Sequence, residues 1–220
     1  ILGGEVTRAP VLWLGVTVVG HAGDAAELVG RAGAQEGDAL AVTGTVGGAA
    51  AGLELLKRPE LAEALDDASA AGLRRRQLEP SPRLAAGRAL ASSGARAMID
   101  VSDGVGADAA HLASAGGVRV EIDLERLPLE PGVAPIAERA GLDPLELAAG
   151  GGEDYELLAA IPPERLDAAR DAVATAGTTL TEIGRVLRGT GAVLRGKDGA
   201  QHSPRGFDQL GRSRAGSARA

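Results

Sequence analysis

The feature that most constrains the fold is a repeated succession of short apolar segments and longer segments with helical periodicity. The clearest example is residues 97–115, where an apolar segment ends in the polar turn 100–104 and a segment of helical period follows. This pattern predicts a strand, a tight turn and a helix. Because strands and helices alternate along the chain, we expect an α/β or α+β architecture in which helices cover a mixed sheet.

The same patterns predict the remaining elements. Further strands are expected at residues 11–20, 39–44, 118–124, 156–161, 180–186 and 191–195, the first of them well buried. Further helices are expected at residues 44–57, 59–73, 84–93, 136–140, 144–149 and 162–176. We interpret residues 77–83 as an extended connector, residues 127–135 as a loop and the basic run 74–76 as a solvated face. The glycines of residues 44–52 do not match the dinucleotide pattern GxGxxG, so they indicate close packing of a helix on the sheet.

Composition narrows the classes of function. Aromatic residues are only 1% of the chain while hydrophobic residues are 45%, so Ala, Leu and Val must build the core and allow close packing. The net charge of −7 argues against a nucleic-acid surface. The absence of cysteine excludes disulfides, thiolate zinc sites and a thiol nucleophile. No apolar run reaches membrane length, and we expect a cytoplasmic protein without membrane contacts.

The turn at residues 100–104 is the first candidate site. Asp100 and Asp103 lie three residues apart, with the hydroxyl of Ser102 between them. Carboxylate oxygens suit Mg²⁺, which binds one or two carboxylates together with water and substrate phosphates. Free N–H groups at the following helix start would suit a phosphate. The alternative is structural: Ser102 or Asp103 only caps the helix.

The second candidate site is the glycine-rich segment 150–158. Three glycines precede Glu153, Asp154 and the only tyrosine, and a strand follows. A flexible turn would let the backbone approach a ligand and would direct both acids to the same rim. The alternative is a turn that leads into the strand and carries solvated acids. On the helix that follows the first turn, His111 is interpreted as an ordinary helix residue.

Taken together, these motifs resemble the thiamine-monophosphate kinase family. They are GGE at residues 3–5, IDVSDG at 99–104, GGEDYELL at 151–158 and GFD at 206–208, in this order. The family belongs to a superfamily with aminoimidazole ribonucleotide synthetase, selenophosphate synthetase and a hydrogenase maturation protein. The resemblance implies ATP-dependent phosphorylation of thiamine monophosphate to thiamine diphosphate by direct, Mg²⁺-assisted phosphoryl transfer. ATP and several Mg²⁺ ions would bind between an N-terminal domain, which dimerises, and a C-terminal α/β domain.

The resemblance also implies roles for individual residues. Metal ligands would be Glu5, Asp100 and Asp103; ATP contacts would be Gly4, Glu5, Arg31 and Ser102; substrate contacts would be Glu153 and Phe207. No side chain is expected to act as a nucleophile. Glu5 departs from the family, which has aspartate there, and the longer side chain would displace a metal ligand by about 1.5 Å.

The resemblance further predicts the domain organisation. Residues 1–30 would be the end of the N-terminal ATP-binding and dimerisation domain, 31–210 the C-terminal domain and 211–220 a disordered tail. The family has more metal-binding aspartates in its N-terminal region, so we expect this chain alone to be inactive or nearly so, and the full-length protein to be a homodimer. Two alternatives remain: a non-catalytic homologue that binds thiamine phosphates or only oligomerises, and another ATP-using enzyme of the superfamily. The absence of cysteine argues against the hydrogenase maturation branch.

Overall fold

The computed structural model describes residues 3–204 and residue 206 of the chain. Its strands are β1 (Ala39–Thr43), β2 (Ala97–Asp100), β3 (Arg119–Asp123), β4 (Leu157–Ile161), β5 (Leu180–Leu187), β6 (Gly191–Arg195) and β7 (Gln201–His202). Its α-helices are α1 (Gly48–Lys57), α2 (Asp67–Leu78), α3 (Leu84–Ser92), α4 (Val105–Gly116), α5 (Val133–Ala140), α6 (Pro144–Gly150) and α7 (Leu166–Thr175). Single 3₁₀ segments occur at Ala25–Glu27, Pro59–Ala64, Leu124–Arg126 and Pro163–Arg165.

The seven strands form one sheet in the order β2-β4-β1-β5-β3-β6-β7. β3 and β6 run parallel, and the other neighbouring strands are antiparallel. The predicted mixed sheet covered by helices is therefore confirmed. The bounds of most predicted strands and helices agree with the structure within a few residues.

The central strand β1 shows how the sheet is buried on both faces. Leu40 and Val42 face the cluster that contains α4 and α6. Ala39 and Ala41 face the cluster formed with α3 and α7. Successive side chains of a strand point to opposite faces, so a strand covered on both sides is apolar throughout. The small alanines let α3 and α7 approach the sheet closely, as the scarcity of aromatic residues predicted.

A third apolar cluster lies among α1, α2 and α5. A Cβ added at Gly52 of α1 would overlap the backbone carbonyl oxygen of Leu73 in α2. The glycine-rich start of α1 therefore permits close packing, as predicted. At Gly52, however, the close contact is between two helices rather than between a helix and the sheet.

Four predictions about local structure were wrong. Residues 11–20 form no strand and their apolar side chains are exposed, because a strand needs a neighbour for its N–H and C=O groups and no described strand lies beside them. The predicted helix 59–73 is divided into a 3₁₀ segment and α2, since the side chain of Asp66 accepts a hydrogen bond from Ser69 N and starts a new helix. The connector begins after Leu78 rather than at residue 77, and α5 begins at Val133 inside the predicted loop.

None of the helices in the described part of the chain combines the length and the apolar composition that crossing a bilayer requires.

Candidate active site

The turn between β2 and α4 is held from inside by Asp108. Its Oδ2 accepts hydrogen bonds from the backbone N–H groups of Ser102, Asp103 and Gly104 at 3.0, 3.0 and 3.1 Å. These three N–H groups of the turn are not free for a phosphate, but they precede the first turn of α4, so the expectation of free N–H groups at the helix start stays a prediction. The capping alternative is wrong, because neither Ser102 nor Asp103 caps the helix.

Asp108 was not identified from the sequence. Its side chain is buried in the first turn of α4. Burial raises the pKa of Asp108 to about 6, with a smaller contribution from the charge of Asp103, and the backbone hydrogen bonds oppose this rise. The sequence signal was an acid four residues after Gly104, because a carboxylate in the first turn of a helix can accept from its free N–H groups.

Asp154 and Glu153 do not share a rim. The side chain of Asp154 is buried, and it accepts hydrogen bonds from Gly47 N at 2.6 Å and Ala49 N at 3.0 Å. It therefore caps α1 from a distant part of the chain. Burial raises its pKa to about 6 against these two hydrogen bonds. Glu153 is exposed and accepts a hydrogen bond from Gln77.

The second motif is hydrogen-bonded to the turn of the first. Glu153 N donates to Ser102 O, and Tyr155 N donates to Val101 O, both at 2.9 Å. Glu153 and Tyr155 adopt left-handed backbone conformations, with φ of 68° and 50°. Such conformations are costly for residues other than glycine and cluster at functional sites. A Cβ at Gly152 would overlap Ser102 O, so this position requires glycine for the two segments to meet.

Acids of both motifs influence the phenol of Tyr155. Burial raises the pKa of Tyr155, and the charges of Glu153, Asp100 and Asp103 raise it further. These acids come from segments about fifty residues apart in the sequence, which the backbone hydrogen bonds between the motifs bring together. The sequence analysis had noted Tyr155 only as the single tyrosine.

Behind this surface lies a buried ion-pair network centred on Glu156. The carboxylate accepts from Arg83 at 2.6 and 2.8 Å, from Thr43 Oγ1 at 2.7 Å and from Arg76 at 3.3 and 3.4 Å. Arg76 also donates to Thr45 O at 2.6 Å. The interpretation of residues 74–76 as a solvated face is therefore wrong for Arg76, which is directed inward.

The third motif reaches the same turn through Gly206. A Cβ at Gly206 would overlap the Cβ of Ala107 and would lie 2.7 Å from Asp103 O. The chain that leads to Phe207 therefore passes against the β2–α4 turn. Phe207 itself and the predicted tail, 211–220, lie outside the described residues.

Among the described residues, no hydrogen bond or ion pair links Gly4, Glu5 or Arg31 to the β2–α4 turn. Gly4 and Glu5 are exposed in a segment without helix or strand. Arg31 is also exposed, next to Gly30, whose carbonyl accepts a hydrogen bond from Met98 N in the edge strand β2. Their roles in binding ATP or metal stay predictions.

The acids of the turn form a donor set that fits a divalent cation. Among the described residues, no Arg or Lys lies within ion-pair distance of Asp100 or Asp103. One ligand atom from each of Asp103, Asp108 and His111 lies within 4.8 Å of the others, and His111 Nε2 is 3.8 Å from Asp103 Oδ2. Asp100 is not a member of this group. Carboxylates without a cationic partner are the hard oxygen ligands that Mg²⁺ prefers.

Comparison with known proteins shows to which family the chain is related. The family described as "AIR synthase related protein, C-terminal domain" matches residues 35–197. The chain is 38% identical to a thiamine-monophosphate kinase of Aquifex aeolicus, over 94% of this chain and 62% of that protein. It is 40% identical to the one of Caulobacter vibrioides, over 90% of this chain and 55% of that protein. The chain therefore spans roughly three fifths of the length of these curated relatives.

Solved structures agree with the sequence comparison. A structure described as AaThiL complexed with AMPPCP and TMP has a TM-score of 0.69 and 39% identity, and covers 82% of this chain and 54% of that chain. The resemblance to thiamine-monophosphate kinases that the motifs indicated is thus confirmed by sequence and by fold. The chain belongs to the AIR synthase related family, whose C-terminal domain it contains at residues 35–197.

Proposed function

We propose that this chain supplies the C-terminal part of a thiamine-monophosphate kinase, which transfers the γ-phosphoryl group of ATP to thiamine monophosphate. Relatives at 38% and 40% identity bear that name. A similar structure holds AMPPCP, an ATP analogue, together with TMP. The observation that carries the proposal is the pair of backbone hydrogen bonds from Glu153 N to Ser102 O and from Tyr155 N to Val101 O, which joins the turn with the expected metal ligands to the segment with the expected substrate contact.

The chemistry needs position and charge more than a reactive side chain. Phosphoryl transfer proceeds with little covalent help from the protein when donor and acceptor are held in line. Here both reactants carry phosphates, whose mutual repulsion is large at short distance. Mg²⁺, when bound, would neutralise this charge. Asp100 and Asp103 would hold it, and Ser102 would contact the nucleotide.

Three N–H groups of the turn are already hydrogen-bonded, and this limits what can offset phosphate charge there. Because Asp108 already accepts from the N–H groups of Ser102, Asp103 and Gly104, these three backbone donors of the turn are not available to the phosphates. Phosphate charge at this turn is then offset through cations on Asp100 and Asp103. Asp108 fixes the backbone that carries these two side chains.

A chromatographic assay for thiamine diphosphate tests the proposal. It would contain thiamine monophosphate, ATP and Mg²⁺, with this chain or with a longer protein that contains it and the relatives' additional length. We expect product from the longer protein. Asp103→Asn should lower kcat roughly 100-fold, because a metal interaction contributes several kcal/mol to the transition state.

The control is Asp171→Asn, an exposed acid on α7 that is remote from the turn. It should leave the rate unchanged. A folded longer protein that forms no thiamine diphosphate would refute the kinase proposal. A rate that is unchanged in Asp103→Asn would refute the assignment of the turn as the metal site.

A further inference from the structure

The backbone of Glu153 is fixed before any ligand binds. Its N–H donates to Ser102 O, and its φ of 68° lies in the left-handed region. The next residue, Asp154, is anchored by two hydrogen bonds to the start of α1. The position of the Glu153 Cα is therefore set by buried neighbours, and only its side chain is left to be oriented.

Among the described residues, one side chain donates a hydrogen bond to the Glu153 carboxylate and so orients it. Gln77 Nε2 donates a hydrogen bond to Glu153 Oε2 at 2.6 Å. Gln77 lies in the last turn of α2, and α2 packs closely on α1: a Cβ at Gly52 would overlap Leu73 O and would lie 3.2 Å from the Gln77 Cβ. The donor therefore stands on a rigid helix rather than on a loop.

The chemical type of this donor differs from that of its neighbour in α2. Arg76 is directed inward, where together with Arg83 it supplies positive charge to the buried Glu156. Gln77, the next residue, is neutral. Its amide satisfies one oxygen of Glu153 but leaves the negative charge uncompensated. Two adjacent residues of one helix thus contact two glutamates, and only Glu156 is paired with a cation by this helix.

We infer that Gln77 is a specificity-determining residue of the acceptor site: it orients Glu153 and preserves its negative charge for a cationic organic acceptor. The inference rests on the proposed function, because the thiazolium ring of thiamine monophosphate carries a permanent positive charge. A cationic residue at position 77 would form the same hydrogen bond but compete with the acceptor for the carboxylate. Gln77 itself does not need to touch the reacting phosphates.

The test is steady-state kinetics of the longer, active protein with two variants at this position. Gln77→Leu removes the donor and should raise the KM for thiamine monophosphate roughly fivefold, since a hydrogen bond to a charged group is lost. Gln77→Lys keeps a donor but adds positive charge, and should raise this KM roughly tenfold or more, an effect that salt weakens. For both, kcat and the KM for ATP should stay within about twofold, because neither variant alters the metal-binding turn. Gln35→Leu, at an exposed glutamine outside the site, is the matched control.

Binding measured without turnover gives an independent readout. Calorimetric titration should show weaker binding of thiamine monophosphate to Gln77→Lys, but equal binding of an analogue whose ring is uncharged. The inference is wrong, and the proposed function stands, if the wild-type protein forms product but either Gln77→Leu or Gln77→Lys has the wild-type KM for thiamine monophosphate. If the wild-type protein forms no product, the proposed function fails first. Equal losses in both KM values would indicate a merely structural role and would also overturn the inference.

Discussion

Glu156→Gln is the substitution that tests most directly how much the buried ion-pair network contributes to stability. Glu156 is fully buried, and its carboxylate faces two guanidinium groups and a hydroxyl. Glutamine has almost the same volume, so no cavity forms. It removes the charge, however, and places an amide N–H₂ group where Arg76, Arg83 and Thr43 already present donors.

The expected cost follows from the burial of the partners. Removing one member of a buried ion pair typically destabilises a protein by about 3–5 kcal/mol, because the remaining charge is left without compensation. The side chains of Arg83 and Arg76 are 25% and 20% exposed to solvent, so water can partly solvate them. We therefore expect a loss of about 2–4 kcal/mol. At about 2–4 °C per kcal/mol for a chain of this size, Tm should fall by roughly 5–15 °C.

The assay is thermal and urea unfolding of Glu156→Gln beside Glu182→Gln. Glu182 is a matched control because it also pairs with two arginines, Arg126 and Arg170, but its partners are 45% and 40% exposed. Exposed pairs contribute only ~0–1 kcal/mol, so the control should change little. If Glu156→Gln loses less than ~1 kcal/mol, or no more than the control, the network does not stabilise the fold as argued.

Two further predictions concern packing and pH. Gly52→Ala should destabilise the protein by ~1–3 kcal/mol, because the added methyl group overlaps the carbonyl of Leu73. The control is Gly72→Ala, in open space on α2, which should stabilise the protein by ~0.5–1 kcal/mol. Urea unfolding compares the two variants, and equal effects would contradict the close approach of α1 and α2. Through Asp154 alone, the free energy of unfolding should fall by up to ~3 kcal/mol as pH rises from about 4 to about 6, because the folded state raises the pKa of Asp154 from 3.8 to about 6 and so holds its proton longer than the unfolded chain. Asp108, whose pKa is also raised to about 6, contributes in the same direction. Asp154→Asn should therefore reduce but not abolish the slope of Tm between pH 4 and 7, and an unchanged slope would refute the contribution of Asp154.

Periodicity was enough to predict most of the sheet and its helices. Strand β1 reads as an uninterrupted apolar segment because it is covered on both faces, and α7 was predicted with its buried residues Leu166, Ala169 and Val173. These signals are local, since the pattern of one element reports which of its own faces are covered. The segment 11–20 has an equally strong pattern but forms no strand. A strand also requires a partner, and a pattern does not identify one.

The environment of the acids could not be predicted, because it depends on distant residues. Asp154 accepts from N–H groups 105 and 107 positions away, and Glu156 pairs with an arginine 73 positions away. In the sequence, Asp154 and the exposed Glu153 are indistinguishable neighbours. Only the fold determines which acid meets donors. Asp108 is different, since its donors lie within six positions. A search for acids in the first turn of each predicted helix would have found it.

The acids in and next to the two motifs divide into an inner, hydrogen-bonded set and an outer, exposed or partly exposed set. In the first motif and its helix, Asp108 is buried and hydrogen-bonded to the turn, while Asp103 stays partly exposed without an Arg or Lys partner among the described residues. In the second motif, Asp154 is buried and hydrogen-bonded to the start of α1, while Glu153 is exposed. The inner acids are satisfied by the protein and fix the backbone. The outer acids keep their charge, and because their backbone is fixed they lose little conformational freedom when a cation or a cationic acceptor binds.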